Sequence, residues 1–228
     1  RQLEQAGFSV ARMHWRDYYI HASFPRAFES QDGFGAADVE LTAEAEIVLA
    51  DASEKKVYVY DLLQELEQFS VPWWAGVGED GFALGDVLGD GKAEIILADS
   101  SSNLVWVYNN TGGYVTFSAP FDSGDLLATG DVDGDGKREI LIGDISDEKI
   151  YCYRPNGTLY SSFAFAAGLS AYDGLAAANV EGDGRDEIIV ADWSSSRIYV
   201  YGASGTQLGW DDVDGGFGYW PRLLVGDP

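Results

Sequence analysis

An acidic nonapeptide, Asp131-Val-Asp-Gly-Asp-Gly-Lys-Arg-Glu139, recurs in weakened form along the chain, and this periodicity constrains the fold more than any other feature. Asp38, Asp86, Asp131, Asn179 and Asp227 hold equivalent positions, separated by 48, 45, 48 and 48 residues. After each of the first four come Glu-Ile, a short apolar run, an aspartate, a polar turn and an aromatic strand. Aligned, the units read EIVLADASEKKVYVY, EIILADSSSNLVWVY, EILIGDISDEKIYCY and EIIVADWSSSRIYVY. Self-similarity at such a period marks a repeat architecture in which each unit is one supersecondary module.

The unit from Gly81 shows what the module is. Gly81–Asp86 reads as a short inner strand of small residues, followed by the acidic loop Asp86–Glu94. Ile95–Ala98 is a strand buried on both faces, because its apolar residues are consecutive rather than alternating. Asp99–Asn103 is a turn, Leu104–Tyr108 a third strand, Asn109–Gly113 a second turn and Tyr114–Phe117 an outer strand. Four short antiparallel strands per repeat make a propeller blade, so the expected fold is an all-β propeller of four-stranded blades. Helical solenoids are excluded, since no unit carries a 3.6-residue apolar pattern.

On this reading the repeats run over about 31–79, 80–124, 125–172 and 173–215, with a partial unit at 216–228. Residues 1–30 stand apart. Aligning Asp32-Gly33 with Asp173-Gly174 places residues 8–24 as the outer half of a blade. Gly216–Trp220 and Leu223–Asp227 read as the inner half of a fifth unit that breaks off inside its acidic loop. Five blades, with both termini sharing the last, remove the exposed edges; the alternative is a segment of an array with six to eight blades.

The acidic loops carry the chemistry. A hard cation such as calcium takes about six to eight oxygens from a flexible loop. Counting Asp131 as position 1, carboxylates fall at positions 1, 3 and 5 (Asp131, Asp133, Asp135), and Gly136 permits the sharp turn. The Lys137 carbonyl serves at position 7 and Glu139 closes the site at 9. An EF-hand differs in placing its last acid at twelve and in continuing as a helix. The bland alternative is an Asp-Gly hairpin turn, against which stands the mutual repulsion of four carboxylates. The other units hold the pattern less completely. Asn179, Glu181, Asp183, the Arg185 carbonyl and Glu187 retain oxygen at every position. Asp86, Asp90, the Lys92 carbonyl and Glu94 lack the third ligand, replaced by Leu88. Asp38, Glu40, Thr42 and Glu46 lack the turn glycine, replaced by Ala43.

The pattern over residues 30–228 resembles the FG-GAP/VCBS repeat family, most specifically at Gly-Asp-Val-Asp-Gly-Asp-Gly-Lys, 130–137. Gly33-Phe34-Gly35 and Gly216-Phe217-Gly218 echo its Phe-Gly element. The resemblance implies a calcium-stapled β-propeller in an extracellular or cell-surface setting, as in integrin α-chain heads, microbial surface proteins and some polysaccharide lyases. It does not imply an activity, because one fold hosts many functions.

Net charge is −24, from 38 acids against 14 Lys and Arg. Such a surface repels phosphate backbones, which argues against nucleic acid and anionic membranes as partners. Three bound calcium ions would bring −24 only to −18, so adaptation to a saline habitat is a second source for the charge. No apolar run approaches the roughly 18 residues of a membrane span. The chain starts at Arg1 with neither Met nor a signal peptide, as a processed product or fragment does. Cys152 is alone within the apolar strand Ile150–Tyr153 and reads as a small hydrophobe.

A catalytic reading is the weaker one. The two histidines, His14 and His21, lie with Arg12, Arg16, Asp17 and Tyr19 in the N-terminal segment. Beside calcium such a group suits β-elimination from an acidic polysaccharide; decoration of a closing strand pair is the favoured explanation. Recognition of a glycan or extracellular protein fits better, through Trp73, Trp74, Trp210 and Trp220, together with Phe121 and Tyr172, at the junctions between units. The competing reading is that these rings wedge between blades. Tyr60, Tyr108, Tyr153 and Tyr201 recur as blade packing. A third expectation is structural: half-blades shared between copies by strand addition would build a filament or surface layer.

Overall fold

The computed structural model describes residues 9–10, 22–23, 29–40, 44–61, 65–72 and 74–217. Among them lie four four-stranded antiparallel sheets, one per repeat, each laid down in chain order. Blade 1 comprises β3 (Gly33–Ala37), β4 (Glu46–Asp51), β5 (Lys56–Tyr60) and β6 (Glu65–Ser70). Blade 2 comprises β7 (Gly81–Gly85), β8 (Glu94–Asp99), β9 (Leu104–Tyr108) and β10 (Tyr114–Ser118). Blade 3 comprises β11 (Leu126–Gly130), β12 (Glu139–Asp144), β13 (Lys149–Tyr153) and β14 (Leu159–Ala164). Blade 4 comprises β15 (Gly174–Ala178), β16 (Glu187–Asp192), β17 (Arg197–Tyr201) and β18 (Gln207–Asp212). A separate two-stranded sheet pairs β1 (Ser9–Val10) with β2 (Ala22–Ser23), matching Ser9 to Ser23 and Val10 to Ala22.

The blade count is therefore four, not the five expected, and no ring closure is seen among the described residues. A blade is one continuous four-strand ladder. Of the 8–24 segment only Ser9–Val10 and Ala22–Ser23 are described, paired with each other, and residues 218–228, with Trp220 and Asp227, lie outside the described residues. His14, His21, Arg12, Arg16, Asp17, Tyr19, Thr42, Ala43 and Trp73 lie outside them too.

Strand position dictates burial. The second strands, β8, β12 and β16, are buried along their full length; β8 and β12 each lie between two neighbouring blades, and β16 packs against blade 3. The outermost strands β10, β14 and β18 are mostly exposed and contain no buried residue. Consecutive blades meet in repeated cores: Val48, Ala50, Val57 and Val59 against Ile95 and Leu97; Ile96, Val105 and Val107 against Ile140 and Ile142; Leu141, Ile150 and Cys152 against Ile188 and Val190.

The recurring tyrosines explain the outer rim. Tyr108, Tyr153 and Tyr201 lie 5.1, 5.6 and 5.3 Å, centroid to centroid, from Phe69, Phe117 and Phe163 on the outer strand of the preceding blade. The same phenylalanines leave no room over the outer turns. A Cβ on Gly205 (φ 81°) would fall 2.3 Å from the Cβ of Phe163, so only glycine serves there.

Loops are linked as well as sheets. The Ala93, Arg138 and Asp186 amides donate to the carbonyls of Asp38, Asp86 and Asp131 at 2.7, 2.9 and 2.8 Å. Each acidic loop thus hands its first residue to the next. The valine that follows is buried in the first three loops, with Val132 at 1% exposure, whereas Val180 in the fourth is 56% exposed.

Candidate metal centre

Every acidic loop joins the first strand of its blade to the second, so all lie at one end of the array. In blade 3 the loop brings one oxygen each of Asp131, Asp133 and Glu139 within 4.8 Å of one another. Among the described residues, this is the single acidic group so gathered. Asp135, expected as a fourth carboxylate ligand, is not part of that group; its Oδ1 accepts the Lys137 amide at 2.9 Å.

Backbone amides shape the loop. Asp131 Oδ1 accepts the Gly134 amide at 2.8 Å and the Asp135 amide at 3.1 Å, and Oδ2 accepts Gly136 at 2.9 Å. Asp86 receives Gly89, Asp90 and Gly91 at 2.7, 3.1 and 2.9 Å, and the Asn179 side-chain oxygen receives Gly182 and Asp183 at 2.7 and 3.1 Å. Side-chain capping of the next amides is what Asp and Asn do in turns, so the first position folds the loop as well as offering oxygen. The closing glutamates do the same from the other side. Glu46, Glu94, Glu139 and Glu187 are buried, and each accepts the amide of the second loop residue, at 2.9, 3.1, 3.1 and 2.8 Å.

Charge is concentrated where water is scarce. Burial, then the nearby Asp133 and Asp135 carboxylates, push Glu139 up to about 7. Burial, with Asp90 and Asp86 adding to it, pushes Glu94 up to about 7. A cation is bonded to the blade 3 loop carboxylates: the Arg154 Nη2 is 2.7 Å from Asp133 Oδ2. Mutual repulsion in that loop is therefore relieved in part by the chain itself. The oxygens of Asp131, Asp133 and Glu139, on a loop turned by Gly134 (φ 77°) and Gly136 (φ 87°), are hard donors of the type that a cation such as calcium takes, three of the roughly six to eight such an ion needs. In blade 4, Glu181 and Asp183 sit on the exposed side of the loop, with Asp183 Oδ1 accepting the Arg185 amide at 2.9 Å. In blade 2, Leu88 at the third position is exposed.

A second set of acids went unread as functional in the sequence. Asp32, Asp80, Asp125 and Asp173 each stand immediately before the first strand of their blade, at the end opposite the loops. Each bridges two backbone amides. Asp80 takes Ala75 at 2.7 Å and Ser100 at 3.0 Å; Asp173 takes Ser170 at 2.7 Å and Trp193 at 2.9 Å. Asp32 takes Glu29 and Ala52, and Asp125 takes Asp122 and Ile145. Beside them Asp51, Asp99, Asp144 and Asp192 cap the turn after the second strand. Burial opposes ionisation of Asp99 and Asp192, yet hydrogen bonds from Ser102 and Ser101, and from Ser195 and Ser194, hold both below the usual carboxylate range. Much of the negative charge is thus used to fasten backbone, a source that needs neither metal nor salt. The signal was available: Asp32, Asp80, Asp125 and Asp173 repeat at 48, 45 and 48, in step with the loops.

The aromatics divide. Trp74 and Phe121 are buried between blades, so neither ring faces a ligand. Trp210 is exposed on β18 with the Arg197 guanidinium 4.2 Å above its ring. Tyr172 and Trp193, also exposed, form a tilted pair with centroids 5.4 Å apart. They flank Asp173 and Asp192, and so lie at the end away from the acidic loops.

The repeat geometry agrees with sequence comparison. A profile described as FG-GAP-like repeat matches residues 86–142 and 131–190, that is, blades 2 to 4 from one acidic loop to the next. Residues 86–190 carry FG-GAP-like repeats. A search of curated proteins finds no match. Among solved structures, an Agrocybe aegerita lectin, described as recognising non-reducing terminal N-acetylglucosamine, aligns at 19% identity and a TM-score of 0.56, over 80% of this chain and 52% of that one. BBS1N in complex with ARL6DN aligns at 14% and 0.61, over 90% and 63%. A catalytically inactive virginiamycin B lyase from Staphylococcus aureus, with quinupristin, aligns at 12% and 0.59, over 87% and 61%. At such identities the likeness is one of fold, and this chain spans about half to two thirds of each of those proteins. No helix among the described residues is long and apolar enough to cross a membrane.

Proposed function

We propose that this FG-GAP-like array is an extracellular, calcium-stabilised recognition module without catalytic activity, and that its ligand is a glycan. The observation that carries the reading is the separation of two surfaces on one frame. Acidic loops with the Asp131, Asp133 and Glu139 group occupy one end, and the exposed Tyr172–Trp193 pair stands at the other. Calcium at the loops has a structural role, because the carboxylates there also hold the turns between the first and second strands. The pair offers flat apolar faces rimmed by polar turns, the kind of surface on which a sugar ring stacks. Net charge of −24 favours a neutral glycan over an acidic one. The lectin among the structural relatives adds support by analogy of fold.

The test is a panel of immobilised neutral and acidic glycans probed with the calcium-loaded chain. Replacing Tyr172 and Trp193 together by Ala is expected to weaken binding to the neutral glycan at least tenfold, with melting temperature little changed. Unchanged affinity would move the ligand elsewhere on the array. Release of an unsaturated, ultraviolet-absorbing product from an acidic glycan would replace the recognition reading with a lyase.

Calcium binding on this reading depends on pH with a defined sign. Glu139 and Glu94 are raised to about 7, above their ordinary 4.5, so without metal their contribution to stability is complete below that value and is lost as pH rises through 7. The chelated chain is expected to melt at a lower temperature at pH 8 than at pH 5 from these groups. Calcium takes the place of the proton, so its affinity should be higher at pH 8 and should flatten that trend. Calcium titrations and melting curves at the two pH values measure both effects.

A further inference from the structure

We infer that Arg154 is a tethered cation that competes with the metal for Asp133, keeping the blade 3 loop folded without metal and lowering its affinity for it. The inference rests on the calcium reading above. Both oxygens of Asp133 are engaged: Oδ1 accepts the Asp135 amide at 3.1 Å and Oδ2 the Arg154 guanidinium at 2.7 Å. A metal that takes an oxygen of Asp133 must therefore share or displace one of these donors. The amide belongs to the loop turn, and the guanidinium is the donor that can leave.

The pairing is asymmetric in a way that suits exchange. The Asp133 side chain is 9% exposed and that of Arg154 is 44% exposed, so the carboxylate is fixed inside while the cation has a path to water. Arg154 has somewhere to stay nearby. Its guanidinium lies 5.3 Å from the Tyr160 ring centroid, a cation–π contact from the outer strand. Its backbone is held in the turn, with its amide donating to Thr158 and its carbonyl accepting Gly157, both at 2.9 Å. A guanidinium does not titrate in this range, so the exchange is of one cation for another and not of a proton.

Comparison of the repeats makes the position specific. The residue after the third-strand tyrosine is Asp61 in blade 1, Asn109 in blade 2 and Gly202 in blade 4; arginine appears only in blade 3. Blade 3 is also the repeat whose loop carries carboxylates at positions 1, 3, 5 and 9. The densest negative charge and the fixed counter-ion coincide. Charge-assisted pairing of this kind to a largely buried carboxylate stabilises the metal-free loop, and whatever stabilises that state weakens metal binding by the same factor.

The experiment is a calorimetric titration of calcium chloride into the chelator-stripped full chain, followed on the binding step that Asp133→Ala abolishes. Arg154→Gln is expected to tighten that step roughly fivefold, the factor of one partly exposed ion pair, and to lower the metal-free melting temperature. Arg185→Gln is the control. Its side chain crosses the same loop, within reach of a Cβ on Gly134, and removes the same charge without the bond to Asp133. It should tighten the step less than twofold. Equal gains in both variants, or no gain in Arg154→Gln, would overturn competition while leaving calcium binding intact. No calcium binding in any of the three chains would instead overturn the calcium reading, and this inference with it.

Discussion

Adding calcium to the chelated chain is expected to raise its melting temperature by about 5–10 °C for each loop filled at a hundredfold excess over the dissociation constant. The magnitude follows from linkage. A ligand bound only to the folded state adds RT ln(1 + [Ca]/Kd), about 2.7 kcal/mol at that excess, and 1 kcal/mol shifts a domain of this size by roughly 2–4 °C. The blade 3 loop should dominate, since Asp131, Asp133 and Glu139 already converge there. Asp133→Ala with Asp135→Ala should remove that loop's share of the shift and one bound ion per chain by metal analysis. In the absence of calcium the double variant should lose far less. A chain whose melting temperature ignores both calcium and chelator would show that the loops are turns alone.

The second large effect lies at the opposite end and needs no metal. Asp80→Ala is expected to cost about 2–5 kcal/mol, because it strips the acceptor from two backbone amides, Ala75 and Ser100, at a buried site. The Ser100 hydroxyl loses its acceptor at the same time. The side chain ties the segment leading into the first strand of blade 2 to the turn twenty residues on, so the loss loosens the joint between blades 1 and 2. Calorimetric unfolding with calcium present measures it, and Asp80→Asn should recover part of the loss through its one remaining acceptor oxygen. A cost below about 1 kcal/mol would mean that water replaces the carboxylate.

How far the sequence could be read differs along the chain, for physical reasons. The four strands expected between Gly81 and Phe117 appear at Gly81–Gly85, Glu94–Asp99, Leu104–Tyr108 and Tyr114–Ser118. Consecutive apolar residues in a six-residue run, bounded by Asp and Glu, leave few alternatives to a doubly buried strand. The same pattern repeats four times, so an error in one unit would be corrected by the others. The ends had no such redundancy. A half-unit carries the local signal of strands but not the ladder they join, and the expectation of a fifth, shared blade went beyond what 216–228 and 8–24 specify. Trp74 illustrates a different limit. An aromatic two residues after Pro72 at a unit junction reads either as a ligand platform or as a wedge, and its burial in the core between blades 1 and 2 follows from the path of the connector.

The acidic residues separate what sequence and tertiary structure each determine. Spacing and composition alone established the repeat, the all-β blade and the loop with carboxylates at alternate positions, because these depend on interactions within about ten residues. Only the tertiary structure decided what each carboxylate does. It assigned Asp131 to its own loop amides, Asp80 and its equivalents to turns twenty residues away, and Asp133 to an arginine in the turn after the third strand of its blade. It also set the exposure of Val132 and Val180 apart, although the two occupy the same position in their repeats. Residue type and local spacing are the same in such pairs; what differs is the neighbour that the packing of successive blades brings against them.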